Sequence, residues 1–174
     1  MRTNFIPISF LFLLLLLSES SFSQQYFVES YTIEDGLHTR NINDACQDSS
    51  GIMWFATSYG ITKYDGFRFI NFNESSGLPL QHYRKILVDE KNIVWASPDL
   101  KTDTIVFFKD NKWNKIPPPK ENRNYLINTF AVSYHDNKPV ICIGSHDGYY
   151  IFKNNSWIHS AISEDENLNY IYTA

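Results

Sequence analysis

DACQDSSGIMWFATSYGITKYDGFRF (residues 44–69) carries two signals that return further along the chain. Asp48 stands six residues before Trp54, and Asp89 stands six before Trp95, 41 residues on. The second signal, Tyr64-Asp65-Gly66-Phe67, comes back as Phe108-Lys109-Asp110-Asn111-Lys112-Trp113 and again as Phe152-Lys153-Asn154-Asn155-Ser156-Trp157. From Tyr64 to Phe108 is 44 residues, and from Phe108 to Phe152 is 44 again. In the third copy the sequence places Ile141, within PVICIGS, at the Trp position.

Each copy parses into four short strands. In the first they fall at about 42–47, 52–57, 61–64 and 67–72. The turns between the first two and the last two strands are rich in Asp, Asn and Gly, which tolerate the positive φ that tight hairpins demand. The second strands (IMWFA, IVWA, VICIG) are nearly all apolar, as expected where a sheet is covered on both faces. Trp54 and Trp95 are therefore read as packing between units, and Asp48 as the opening residue of a turn. Self-similarity at about 40–45 residues with four strands per unit is the signature of propeller blades. The fold class is an all-β propeller of three complete blades, at about 42–72, 83–116 and 125–162. Pro117-Pro118-Pro119 falls between the second and third, where a ladder strand could not continue.

The ends extend the pattern. Aligning Gly36-Leu37 with Gly77-Leu78 sets Tyr26–Thr32 on the fourth strand of a unit, so a lone outer strand is expected at 26–32. Residues 168–174, LNYIYTA, read as the first strand of a fourth unit. Two orphan strands imply an incomplete ring, because closed propellers usually need four to eight blades. Either the chain is the front part of a longer protein, or copies assemble to finish the ring.

MRTNFIPISFLFLLLLLSESSFSQQ opens the chain with one basic residue, Arg2, and an apolar run from Phe5 to Leu17. Ser21 and Ser23 precede a cut expected ahead of Gln24, which is the layout of a secretory signal peptide over 1–23. The run is shorter than the roughly 20 residues that span a bilayer. Residues 24–174 contain no second apolar run of that length, so no transmembrane segment is expected in the mature part. The expected localisation is export to the periplasm, with secretion the alternative.

Composition agrees with strands and excludes some partners. Aromatic residues make up 16% of the chain, and rings suit a pleated, half-buried surface. Net charge is −4, which removes the electrostatic case for nucleic acid. Cys46 and Cys142 sit in different repeats and in different kinds of strand, so they are read as two buried free thiols. The five histidines have no HExxH spacing, and neither a nucleophile elbow nor a glycine-rich phosphate loop is present. No catalytic residue, metal site or cofactor is expected.

EDGLHTRNINDACQDSSGIMWFATSYGITKYDGFRF closely resembles the two-component regulator propeller repeat. Gly36-Leu37, Asp48, Gly51, Trp54, Thr57, Gly60-Ile61 and Tyr64-Asp65 fill the places of that repeat. The second unit matches in part, with Asn92 for the turn Gly and Ser97-Pro98 for the usual Thr, and the third diverges most. The resemblance implies the periplasmic sensor region of a sensor or hybrid histidine kinase of the Bacteroidetes type, with membrane and kinase modules beyond these residues. It also implies a glycan or other small-molecule cue as ligand, and self-association in the full-length sensor. The alternative is a stand-alone secreted interaction protein that assembles its own ring.

Alternating strands put the connections between blades, together with the loops between second and third strands, on one face of the disc. Those loops carry the richer chemistry: His38-Thr39-Arg40, Ser58-Tyr59, Gln81-His82-Tyr83-Arg84 and 99–103. Rings stack on sugars and guanidinium groups fork onto acids. The candidate ligand-binding residues are Arg40, Tyr59, His82 and Arg84.

Overall fold

Twelve strands form three four-stranded antiparallel sheets in a computed structural model that describes residues 28–79, 81–100, 103–120, 126–146 and 148–161. The first sheet holds β1 (Ile42–Gln47), β2 (Met53–Thr57), β3 (Gly60–Tyr64) and β4 (Phe69–Phe72). The second holds β5 (Tyr83–Val88), β6 (Val94–Pro98), β7 (Ile105–Lys109) and β8 (Lys112–Ile116). The third holds β9 (Ile127–His135), β10 (Lys138–Ser145), β11 (Gly148–Lys153) and β12 (Ser156–Ala161). Strands pair strictly in chain order within each sheet, which is the up-and-down meander of a propeller blade. The expected signal peptide over 1–23 and the expected strand at 168–174 lie outside the described residues.

The hairpins follow from their turn residues. Asp110-Asn111, Asp136-Asn137 and Asn154-Asn155 each place two successive residues at φ between 51 and 62°. That is the pair of left-handed conformations a two-residue type I′ turn requires, and Asn and Asp reach it at least cost among residues with a Cβ. The first hairpins of blades one and two use a longer device. Asp48 Oδ1 accepts the backbone N–H groups of Ser50 and Ile52, and Asp89 Oδ1 accepts those of Lys91 and Ile93.

Two apolar seams join the blades. Across the first, the Trp54 ring lies 5.2 Å from Phe108 and 6.2 Å from Trp113 of the next blade, and Phe72 stacks on Trp54 at 5.9 Å. The second gathers Trp95, Ile105 and Ile116 of blade two against Phe130, Ile141, Ile143 and Tyr150 of blade three. Burying each such side chain contributes roughly 1.5–3 kcal/mol. The two Trp positions pack between blades, as their sequence setting suggests.

Two expectations are corrected. Residues 28–32 have no regular structure and 33–36 form a turn, so the described part of the expected outer strand at 26–32 belongs to no sheet among the described residues. The stretch ends in that turn, where Asp35 Oδ2 accepts both the backbone N–H (2.6 Å) and the hydroxyl (3.0 Å) of Thr32. The second correction concerns the third blade. Val94 pairs with Phe108 and Trp95 with Phe107, whereas Ile141 pairs with Phe152 and Cys142 with Ile151. Since Phe152 is the counterpart of Phe108, the Trp position in blade three is Cys142 and not Ile141. The two-residue turn at Asp136-Asn137 replaces the longer Asp-initiated one, and the shorter loop moves the strand by one residue. Cys46 and Cys142 are free, as expected, but only half buried.

The chain divides into two units, residues 1–30 and 31–174. The first is described only at 28–30, and all three sheets belong to the second.

Candidate functional site

Each blade opens its first strand with an irregularity. The pairing slips between Ile42 and Asp44 in β1, between Tyr83 and Lys85 in β5, and opposite Gly144/Ser145 in β9. The residues set out of the ladder in β1 and β5 are Asn43 and Arg84. Such bulges re-aim a side chain, and they recur beside binding sites. Asn43 donates to the Tyr83 carbonyl at 2.6 Å and so stitches blade one to blade two. Arg84 turns instead to the loop between β6 and β7.

That loop starts at Asp99, which three contacts fix. Its N–H donates to the His82 carbonyl at 3.0 Å, and its carbonyl accepts the N–H of Ile127 from blade three at 3.0 Å. Its carboxylate faces both Arg84 and His82. Arg84 Nη1 lies 3.0 Å from Oδ1, and His82 Nδ1 lies 3.5 Å from Oδ2. The other imidazole nitrogen, Nε2, is 2.9 Å from the Ser58 hydroxyl on the corresponding loop of blade one. A continuous polar line therefore runs Ser58–His82–Asp99–Arg84 across two blades.

Beside it, Gln81 bridges to Thr104, its amide donating to the Thr104 carbonyl at 2.6 Å. Burial pushes the carboxyl of Asp103 above the usual range, and the neighbouring negative charge of Asp99 adds to that. The hydroxyl of Tyr83 is raised chiefly by burial, then by the charge of Asp103, and it donates to the Pro79 carbonyl at 3.1 Å.

Tyr59 stands next to Ser58 and is 56% exposed. Its ring centroid lies 6.2 Å from that of His38. Its exposure is enforced by the hairpin: Thr57 Oγ1 accepts the Tyr59 N–H at 3.1 Å while donating to the Gly60 carbonyl at 2.9 Å. Gly60 itself sits at φ +130°, and a Cβ there would meet the Phe72 carbonyl oxygen at 2.8 Å.

Of the four residues singled out in the sequence, the structure joins His82 and Arg84 through Asp99 and reaches Tyr59 through Ser58. Arg40 is exposed, and among the described residues no hydrogen bond or ion pair ties it to this cluster. Ser58, Asp99 and Asp103 were named within those loops but not among the four candidates. Arg84 is set out of the ladder between Tyr83 and Lys85, and its bulge gave no sequence signal. No group of three or more His, Cys, Asp or Glu side chains able to hold a metal occurs among the described residues. The cluster presents donors, acceptors and an exposed ring together, which suits a hydroxyl-rich ligand.

Residues 36–59 match the family described as two component regulator propeller. No curated protein sequence matches the chain. Among solved structures, the extracellular domain of the hybrid two component system BT3049 from B. thetaiotaomicron is similar over 79% of this chain. It has a TM-score of 0.60 and 18% identity. The extracellular domain of BT4673, a one component system from the same organism, is similar over 75% at a TM-score of 0.47 and 13% identity. At that score only the first bears on the fold. The chain spans about a fifth of the length of these structures, 20% and 23%. No helix among the described residues is long and apolar enough to cross a membrane.

Proposed function

We propose that this chain, which carries a two component regulator propeller repeat, is the exported, ligand-sensing propeller segment of a two-component sensor. The observation that supports it most directly is the repeat match at residues 36–59, on a chain whose first residues read as a secretory leader. The shared fold with an extracellular sensor domain agrees with it. In this reading the segment is non-enzymatic and periplasmic, and its sheets belong to a ring completed by further blades.

The ligand is a glycan or similar small molecule held on the loop face by Tyr59, His82 and Arg84, with Arg40 at the margin. The Asp99 carboxylate holds His82 and Arg84 in fixed orientation, so little ordering remains to be done on binding. Ligand contact changes how paired sensor chains are arranged, and segments beyond these residues carry that change inward.

The test is a thermal-shift and glycan-array screen of the chain, repeated with Tyr59→Ala and Arg84→Ala. At least one ligand should raise the melting temperature, and both substitutions should weaken that shift. Silence across a broad panel, or binding indifferent to both changes, would overturn the reading.

A further inference from the structure

The two seams differ at one repeated position. Phe72 in β4 pairs with Ile61, and Ile116 in β8 pairs with Ile105, so the two residues hold the same place in successive blades. In the first seam the Phe72 ring reaches across to the next blade, 5.5 Å from Phe108 and 5.4 Å from Trp113. The counterparts of those two rings in blade three are Phe152 and Trp157. Facing them, position 116 offers only an isoleucine.

A cleft of about 450 Å³ lies there. Phe152, Trp157, Tyr150 and His159 line it together with the run Pro117–Pro119 and Lys120. Two contacts hold the lining in place. The Tyr150 and His159 rings stack at 4.3 Å with 11° between their planes. The Trp157 indole N–H donates to the Pro117 carbonyl at 2.9 Å, pinning the proline run to the blade. The volume falls within the roughly 300–1,000 Å³ typical of small-molecule sites.

The lining selects the ligand. Flat rings and prolines favour a flat aromatic body. Among the described residues no acidic side chain lines the cleft, and Lys120 brings a positive charge to it. The geometry points to a second binding site between blades two and three, for a planar aromatic carboxylate whose ring enters the cleft and whose acid meets Lys120. Its lining shares no residue with the cluster of Tyr59, His82, Arg84 and Asp99, so it stands whether or not that cluster binds a glycan.

Indole-3-acetate titrated into the full chain, followed by chemical shifts of the indole N–H groups, tests it. Saturable binding that moves the Trp157 signal is expected, with tryptamine (the same ring bearing a cation) and glucose bound far more weakly. Ile116→Phe should supply the ring that blade one already has, weaken binding by about tenfold or more and raise the melting temperature. Lys120→Gln should weaken binding by about threefold, with the loss reduced at high salt. Absence of saturable binding overturns the inference, as does tryptamine or glucose binding as well as indole-3-acetate. A folded Ile116→Phe protein that binds like the original also overturns it. Should that variant fail to fold, the Lys120→Gln and tryptamine comparisons decide alone.

Discussion

The carboxylate of Asp89 accepts the indole N–H of Trp95 at 2.7 Å, and Asp48 holds Trp54 in the same way at 2.9 Å. The six-residue spacing between Asp and Trp is thus a chemical unit. One carboxylate oxygen closes the hairpin turn through backbone N–H groups, and the other fixes the ring that fills the seam. An indole N–H left buried without a partner would cost about 1–3 kcal/mol, which explains why Asp and Trp return together.

Replacing Asp89 with Ala removes four hydrogen bonds, because Oδ2 also accepts the Tyr134 hydroxyl at 2.5 Å. Denaturant unfolding should register a loss of about 2–4 kcal/mol. Asp48→Ala removes three such bonds, and its loss should be smaller, about 1–2 kcal/mol.

Acid should weaken the fold through Asp89. Burial pushes its carboxyl up, but hydrogen bonds from Tyr134, Ile93, Trp95 and Lys91 together outweigh that and hold it below the usual carboxylate value. A lowered folded-state value means the contribution is complete above the unfolded value of about 3.9 and is lost as pH falls through the folded one. Asp103 has the opposite sign: raised by burial and by Asp99, its charge costs stability once pH rises past its folded value. Unfolding curves at pH 7 and pH 3 should show Asp103→Asn stabilising at the former and neutral at the latter. Asp89→Asn should flatten the acid limb.

Neither thiol should react readily in the native protein. Burial, with Asp44 and then Asp48 nearby, pushes Cys46 up to about 12, and burial raises Cys142. Iodoacetamide at pH 8 attacks the thiolate, so alkylation followed by mass should be slow for both and fast after denaturation. Rapid native labelling of Cys46 would contradict its environment.

Gly60→Ala should be among the most damaging single changes in blade one. Its φ of +130° strains any L side chain, and the 2.8 Å approach to the Phe72 carbonyl is to backbone, which cannot step aside cheaply. A loss of about 2–4 kcal/mol is expected, measured by denaturant unfolding.

Much of this was legible because repeats state the same requirement more than once. The 44-residue return of the Tyr64, Phe108 and Phe152 positions located the third strands, and Asp, Asn and Gly located the turns. What failed was local geometry. The Trp position in blade three slipped to Cys142 because a turn two residues long cannot be told by alignment from a longer one with a gap. The stretch at 28–32 reads like a strand by composition, and the turn at 33–36 that follows it is set by Thr32–Asp35 hydrogen bonds. The loop-face residues were half legible: His82, Arg84 and Tyr59 have suggestive chemistry, but Asp99 gains its role from a contact across a bulge that leaves no mark in the sequence.

Blade three has no Asp–Trp pair of its own, yet its first strand is not left to packing alone. Tyr134 lies in β9, so its bond to Asp89 passes from one sheet to the next, and Lys91 lies 3.7 Å over the same ring. The carboxylate that closes a hairpin in blade two is thereby also a latch on blade three. Native-state hydrogen exchange should find β6 and β9 opening as one cooperative foldon. In an array of repeats, where units are commonly pictured as interchangeable, the unit of unfolding is here set by one side chain reaching across a seam.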